Sequence, residues 1–246
     1  MAEVLEIEES VKDVIWEALG FTPLDELFSY VRYKLPKRAG IVDPEKLENF
    51  ISNYMSELVV FEDGFVKPKL PSDSLWHATY AFRIPDVLAK GLELLAGSKD
   101  QYEQDHGDLN PVFQYSGFPP QKDPLTNEKC IYVAVAPEHA VFKRGPSNGI
   151  AVLEIDPSNN KFIPVDTRGR PIEGHEDLIT EQFRYGTVDL GTYTPVNPDN
   201  IKRAYVHEND MNQLGPTTDP RITSVYPLSS KQWNRVVAED YARLKG

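Results

Sequence analysis

The chain has 246 residues, 40% of them hydrophobic and 26% charged, which fits a globular protein of one large domain, or a domain with a helical extension. Its 26 Lys and Arg against 38 Asp and Glu leave a net charge of −12, which repels phosphate backbones and argues against sequence-independent tracking along nucleic acid. A single cysteine, Cys130, excludes an internal disulfide framework; MAEVLEIEES lacks the basic and apolar parts of a secretory signal, and no run approaches the roughly 18 apolar residues that span a bilayer, so the expected setting is cytoplasmic, without a membrane.

From Ser10 to about Gly64 the chain reads as helices. Ser10 and Asp13 form a capping pair ahead of Val11, Val14, Ile15, Ala18 and Leu19, which recur at helical spacing. Thr22-Pro23 opens a second helix with Leu24, Leu27, Phe28 and Val31 inward, and Pro36 stops it. Asp43-Pro44-Glu45 opens a third, carrying Leu47, Phe50, Ile51, Tyr54, Met55 and Leu58 on one face. Val59 to Phe61 and Phe65-Val66 flank Asp63-Gly64 as a hairpin, and the domain boundary is set near Lys67, giving a helical region 1–66 and a second region 67–246.

Ser74 to Leu95 reads as a strand, Leu75 to Tyr80, followed after Arg83 by a helix. Ile84, Val87, Leu88, Leu92 and Leu95 recur at helical spacing, Pro85 suits the first turn and Gly91 lies near the end. His77 in a strand leading directly into a helix brings its imidazole, with the backbone amide and carbonyl of Ala78, to a cleft mouth where hydrogen bonds can be aimed at a ligand. Gly97 to Lys129 is polar and aperiodic, the pattern of a lid or of an inert insertion. Within it Tyr102, Tyr115 and Phe118 are the aromatics placed to reach a ligand, and His106 has no arguable partner.

Cys130 to Val135 reads as a short strand bearing Tyr132, and Pro137 to Phe142 as a short helix. Ile150 to Pro157 and Phe162 to Val165 read as scaffold strands; Arg168 and Arg170 sit in a turn where guanidinium forks match phosphate oxygens. Glu173, Glu176, Asp177 and Glu181 follow; Glu181, Phe183 and Tyr185 alternate onto one face of a strand. Asn197-Pro198 turns into a strand ending at His207, and a last helix carries Trp233, Val236, Val237, Tyr241 and Leu244 on one side. There is no CxxC pair, HExxH, P-loop, GxGxxG or GxSxG, so metal, Walker, Rossmann and nucleophile-elbow chemistry lack a motif.

Three of these stretches together resemble the ADP-ribosyltransferase superfamily in its His-Tyr-Glu branch: Leu75-Trp76-His77-Ala78-Thr79 with the helix ending in Gly91-Leu92, then Tyr132 with Phe142 ten positions on, then a carboxylate after a loop. The resemblance covers roughly Ser74 to His207. It implies an α+β fold, a split, twisted β core with a small helical N-terminal part. It implies a mono-ADP-ribosyltransferase that uses NAD as donor substrate, needs no metal, releases nicotinamide, and modifies a macromolecular acceptor, protein or locally recognised nucleic acid.

In that family pattern His77 bonds the nicotinamide ribose and the Ala78 backbone holds the carboxamide. Thr79 orders the strand or contacts the adenosine side, while Tyr132 and Phe142 sandwich the nicotinamide, a flat cation that aromatic faces attract. Glu181, or a neighbour such as Glu176, steadies the positive charge that grows as the glycosidic bond breaks. Polymerase relatives keep their acid close before an Asn-Pro or Asp-Pro turn. Counted back from Asn197-Pro198, that position falls near Thr192, so either an insertion from Thr187 to Pro195 separates Glu181 from the turn or the acid is missing. Two alternatives follow: a catalytically inactive binding or interaction module of the same fold, and an NAD-dependent RNA 2′-phosphotransferase, whose basic N-terminal domain and clustered arginines contrast with the acidic N-terminal part here.

Overall fold

A computed structural model describes residues 2–19, 22–35, 41, 43–62, 64–93, 130–144, 149–165, 189–216, 218–227, 229 and 232–245. Among the described residues the protein is mixed α and β, with helices and three sheets. Among the described residues no helix is long and apolar enough to cross a membrane.

Helix α1, Ala2–Ala18, starts ahead of Ser10, the expected cap. The preceding residues are strong helix formers, and Lys12 pairs back to Glu8 at 2.8 Å and Glu9 at 3.0 Å, which favours carrying the helix through the serine. Thr22–Pro23 forms strand β1 rather than a helical turn. It pairs with β3, Phe65–Pro68, at a sheet edge where a missing proline N–H is tolerated. Helix α2, Leu24–Lys34, carries Asp25 and Glu26 in its first turn and Arg32 and Lys34 in its last, matching its macrodipole. Helix α3, Pro44–Tyr54, is capped by Asp43, whose carboxylate accepts the Lys46 N–H at 2.8 Å.

Strand β2, Val59–Glu62, pairs antiparallel with β3, giving the order β1-β3-β2. Val11, Ile15, Trp16, Leu27, Val31, Leu47, Ile51, Met55, Val59 and Val66 close one core over this small sheet. Tyr54 is exposed rather than inward, its ring tilted against Phe50.

The second sheet holds β4, Leu75–Tyr80; β6, Ile150–Ile155; β9, Ile201–His207; and β10, Ile222–Val225, in the order β10-β9-β6-β4. Every residue of β6 is buried, as its nearly continuous apolar run requires of a strand covered on both faces. The single exception in that run, Glu154, accepts a hydrogen bond from Ser74 Oγ at 2.8 Å. The third sheet is antiparallel and runs β5, Ile131–Val133; β8, Asp189–Thr192; β7, Ile163–Val165.

Period-two alternation sends Leu153 and Ile155 to one core, with Ile131 and Val133 of β5 and Ile84, Val87 and Leu88 of helix α4, Ile84–Lys90. It sends Val152, Trp76, Ala78 and Tyr205 to another. That core is roofed by Ala140 and Val141 of helix α5, Pro137–Arg144, and by Trp233 and Val237 of helix α6, Trp233–Lys245. Ala238 of α6 belongs to the N-terminal core, so one helix serves both units.

Helix α4 stops at Gly91, whose φ of 86° suits glycine, and a Cβ there would lie 2.0 Å from the Val196 carbonyl oxygen. Arg221 ties the same corner together: its guanidinium donates to the carbonyls of Leu88 at 2.8 Å and Pro198 at 2.9 Å. It also bonds Asp219, whose carboxyl it holds below the usual range.

Candidate functional site

Strand β4 uses its two edges differently. On one side six of its residues pair with β6. On the other the only bridge among the described residues joins Trp76 and Ala134: the Trp76 N–H donates to the Ala134 carbonyl at 2.8 Å and the Ala134 N–H to the Trp76 carbonyl at 2.7 Å. Backbone groups of successive strand residues alternate between edges. The Ala81 N–H donates to Gly149 at 2.6 Å on the β6 side, so 77, 79 and 81 face β6 while 76, 78 and 80 face β5.

An antiparallel ladder continued past this bridge would next pair Ala78 with Tyr132, the Ala78 N–H donating to the Tyr132 carbonyl. That carbonyl instead lies 2.7 Å from His77 Nδ1. The imidazole occupies the acceptor that the next ladder bond would use, the strands part, and the N–H and C=O of Ala78 face the gap. Because a carbonyl only accepts, Nδ1 carries the proton in this contact.

His77 and Ala78 are thus together with the Tyr132 backbone. His77 is half-buried between buried Trp76 and Ala78, and Tyr132 is half-buried between Ile131 and Val133. Thr79 is buried opposite Ala151. Phe142 lies on α5, with its side chain outside what the structure describes. Glu181, Glu173, Glu176, Asp177, Arg168, Arg170, Tyr102, His106, Tyr115 and Phe118 lie outside the described residues.

The chain after 166–188 enters as β8, which pairs Gly191 with Tyr132 and Thr192 with Ile131. Thr192 is buried, its hydroxyl 3.0 Å from that of Thr194. The first carboxylate on this strand is Asp189, opposite Val165 and not among the acids expected from the sequence.

One feature near the gap was not read from the sequence. Tyr80 and Phe82 stack with ring centroids 5.6 Å apart at 15°, and Phe82 is 41% exposed. The two aromatics at i and i+2 directly after His77-Ala78-Thr79 are the signal that marks it.

Two concavities among the described residues, one lined by Glu57, Lys69, Tyr241 and Lys245 and one between β10 and α6, include neither His77 nor Tyr132. No three described His, Cys, Asp or Glu side chains gather where they could hold a metal ion. Compared with protein-family models and with curated proteins, the chain matches none.

Proposed function

We propose that the protein is an NAD-dependent mono-ADP-ribosyltransferase built on the split β core of that superfamily, with 1–66 as an N-terminal region and 67–246 as the catalytic domain. The observation that carries the reading is the His77 imidazole on the Tyr132 carbonyl, parting β4 from β5 beside the open backbone edge of Ala78. A primary carboxamide matches that edge: its oxygen accepts the Ala78 N–H and its NH2 donates to the Ala78 C=O.

In this mechanism the His77 imidazole hydrogen-bonds the ribose beside nicotinamide. The rings of Tyr132 and Phe142 stack on the nicotinamide, and Thr79 keeps the strand in register. The bond between ribose C1′ and the nicotinamide nitrogen breaks, its electron pair leaving with neutral nicotinamide. Glu181 stabilises the oxocarbenium-like charge left on the ribose. A nucleophile of the protein or nucleic-acid acceptor then bonds C1′ and gives up its proton.

The test has two stages. Calorimetric titration is expected to give saturable NAD binding, and incubation with labelled NAD and cell lysate to give labelled macromolecules, identified by mass spectrometry. Glu181→Gln is expected to cut transfer by about 10³-fold while leaving NAD affinity nearly intact. Absence of NAD binding by the wild-type protein, or full transfer by that variant, overturns the respective assignment. Binding without transfer by the wild type would instead identify an inactive module of this fold.

A further inference from the structure

Helix α5 has no acceptor of its own to begin on. Pro137 at its start has no N–H, so the Glu138 N–H is the first orphan donor of the helix, and the preceding residue, Ala136, has no side-chain oxygen to meet it. The acceptor comes from 96 residues away: Asn234 Oδ1 takes the Glu138 N–H at 3.0 Å, and Asn234 Nδ2 donates to Glu138 Oε2 at 3.1 Å. Asn234 is 1% exposed, so both halves of its amide are spent on one residue of α5 inside the protein.

The helix so held packs against β4 at the two residues that flank His77. Ala140 and Val141 share a core with Trp76 and Ala78, the neighbours of His77 on β4. Helix α5 also follows directly on the strand of Tyr132 and carries Phe142. Asn234 itself rides on a helix fixed at several points: Trp233 and Val237 enter the same core, Ala238 enters the N-terminal core, and Arg235 bonds Asp13 of α1.

We infer that Asn234 is a positioning residue for the ligand site: a cap supplied by α6 that sets the placement of α5 against β4 and so the width of the gap beside His77. The inference rests on the NAD reading above.

The test is a polarity exchange. Asn234→Asp sets a carboxylate against Glu138 Oε2 and is expected to raise the NAD Kd, and KM with it, at least about tenfold, with kcat changed far less. Adding Glu138→Gln lets the amide at 138 donate to the new carboxylate while the 138 N–H still has its acceptor, and is expected to restore binding. A residue that only stabilises the fold would lower the melting temperature without this split or this rescue. Asn234→Ala, which removes both bonds without adding charge, is the second variant and is expected to shift KM in the same direction. No NAD binding by the wild type overturns the functional reading and this inference with it. Wild-type binding that Asn234→Asp and Asn234→Ala leave unchanged, or that Glu138→Gln fails to rescue, overturns the inference alone.

Discussion

The two edges of β4 present the same six residues to different neighbours. Towards β6 every second residue spends its N–H and C=O on a ladder, and the strand is locked into a sheet buried on both faces. Towards β5 one bridge at Trp76 holds the strands, and His77 then takes the carbonyl that would have continued the pairing. A saturated edge can only support; an edge interrupted by a side chain keeps oriented donors and acceptors for something else. In this chain a single imidazole stands where the two edges come to differ.

Adjacent proline substitutions break the comparison most sharply, because neighbouring amides of β4 face opposite edges. Thr79→Pro removes a donor from the β6 ladder and leaves a buried carbonyl short of a partner, at an expected cost of about 2–4 kcal/mol. Ala78→Pro removes an N–H that faces the gap, and the residue before it is already extended, as proline requires. It is expected to cost about 1 kcal/mol in stability yet weaken NAD binding about tenfold. Denaturant titration and calorimetry on both variants check this, and equal destabilisation by the two would mean that both edges are structural.

Much of this arrangement is legible in the sequence, and what is not has a physical reason. Leu75 to Tyr80 appears as a strand with its stated ends, and Pro85 and Gly91 bracket α4, because proline and glycine punctuate locally. The His77 contact itself is invisible: which carbonyl an imidazole finds depends on residues 55 positions apart. The parallel pairing of β10 with β9 and the Asn234 cap on α5 are long-range in the same way. Thr22-Pro23 reads locally as a helix start and becomes a strand only because β3 offers an edge. Of the site residues, His77, Ala78, Thr79 and Tyr132 fall in described strands beside the gap, and Glu181 lies in 166–188, outside the described residues.

Removing the imidazole tests whether it is what holds the gap open. In His77→Ala the Tyr132 carbonyl loses the imidazole, and the register set by the Trp76–Ala134 bridge makes the Ala78 N–H its replacement. Stability is therefore expected to change by no more than about 1 kcal/mol, whereas NAD binding falls by more than tenfold as both the histidine and the Ala78 edge are lost. A loss of stability above about 3 kcal/mol would recast His77 as a structural strut.

The smallest expected effect probes the closed side alone. Tyr205 of β9 lies across β6 from Ala78, with Val152 between them, and it is 1% exposed. Burial, first, and then the charges of Glu154 and Asp240 push its phenol well above the ordinary value near 10. The folded protein therefore holds this proton where the unfolded chain releases it. The associated stability is complete below pH 10 and is lost as pH rises from there towards the folded value, at about 1.4 kcal/mol per pH unit. Tyr205→Phe cannot release that proton, so its unfolding free energy is expected to fall less steeply between pH 10 and 11. Parallel curves for the two proteins in denaturant titrations across that range would show that the phenol ionises in the folded state as freely as in water, and that this side of the sheet is more open than its packing implies.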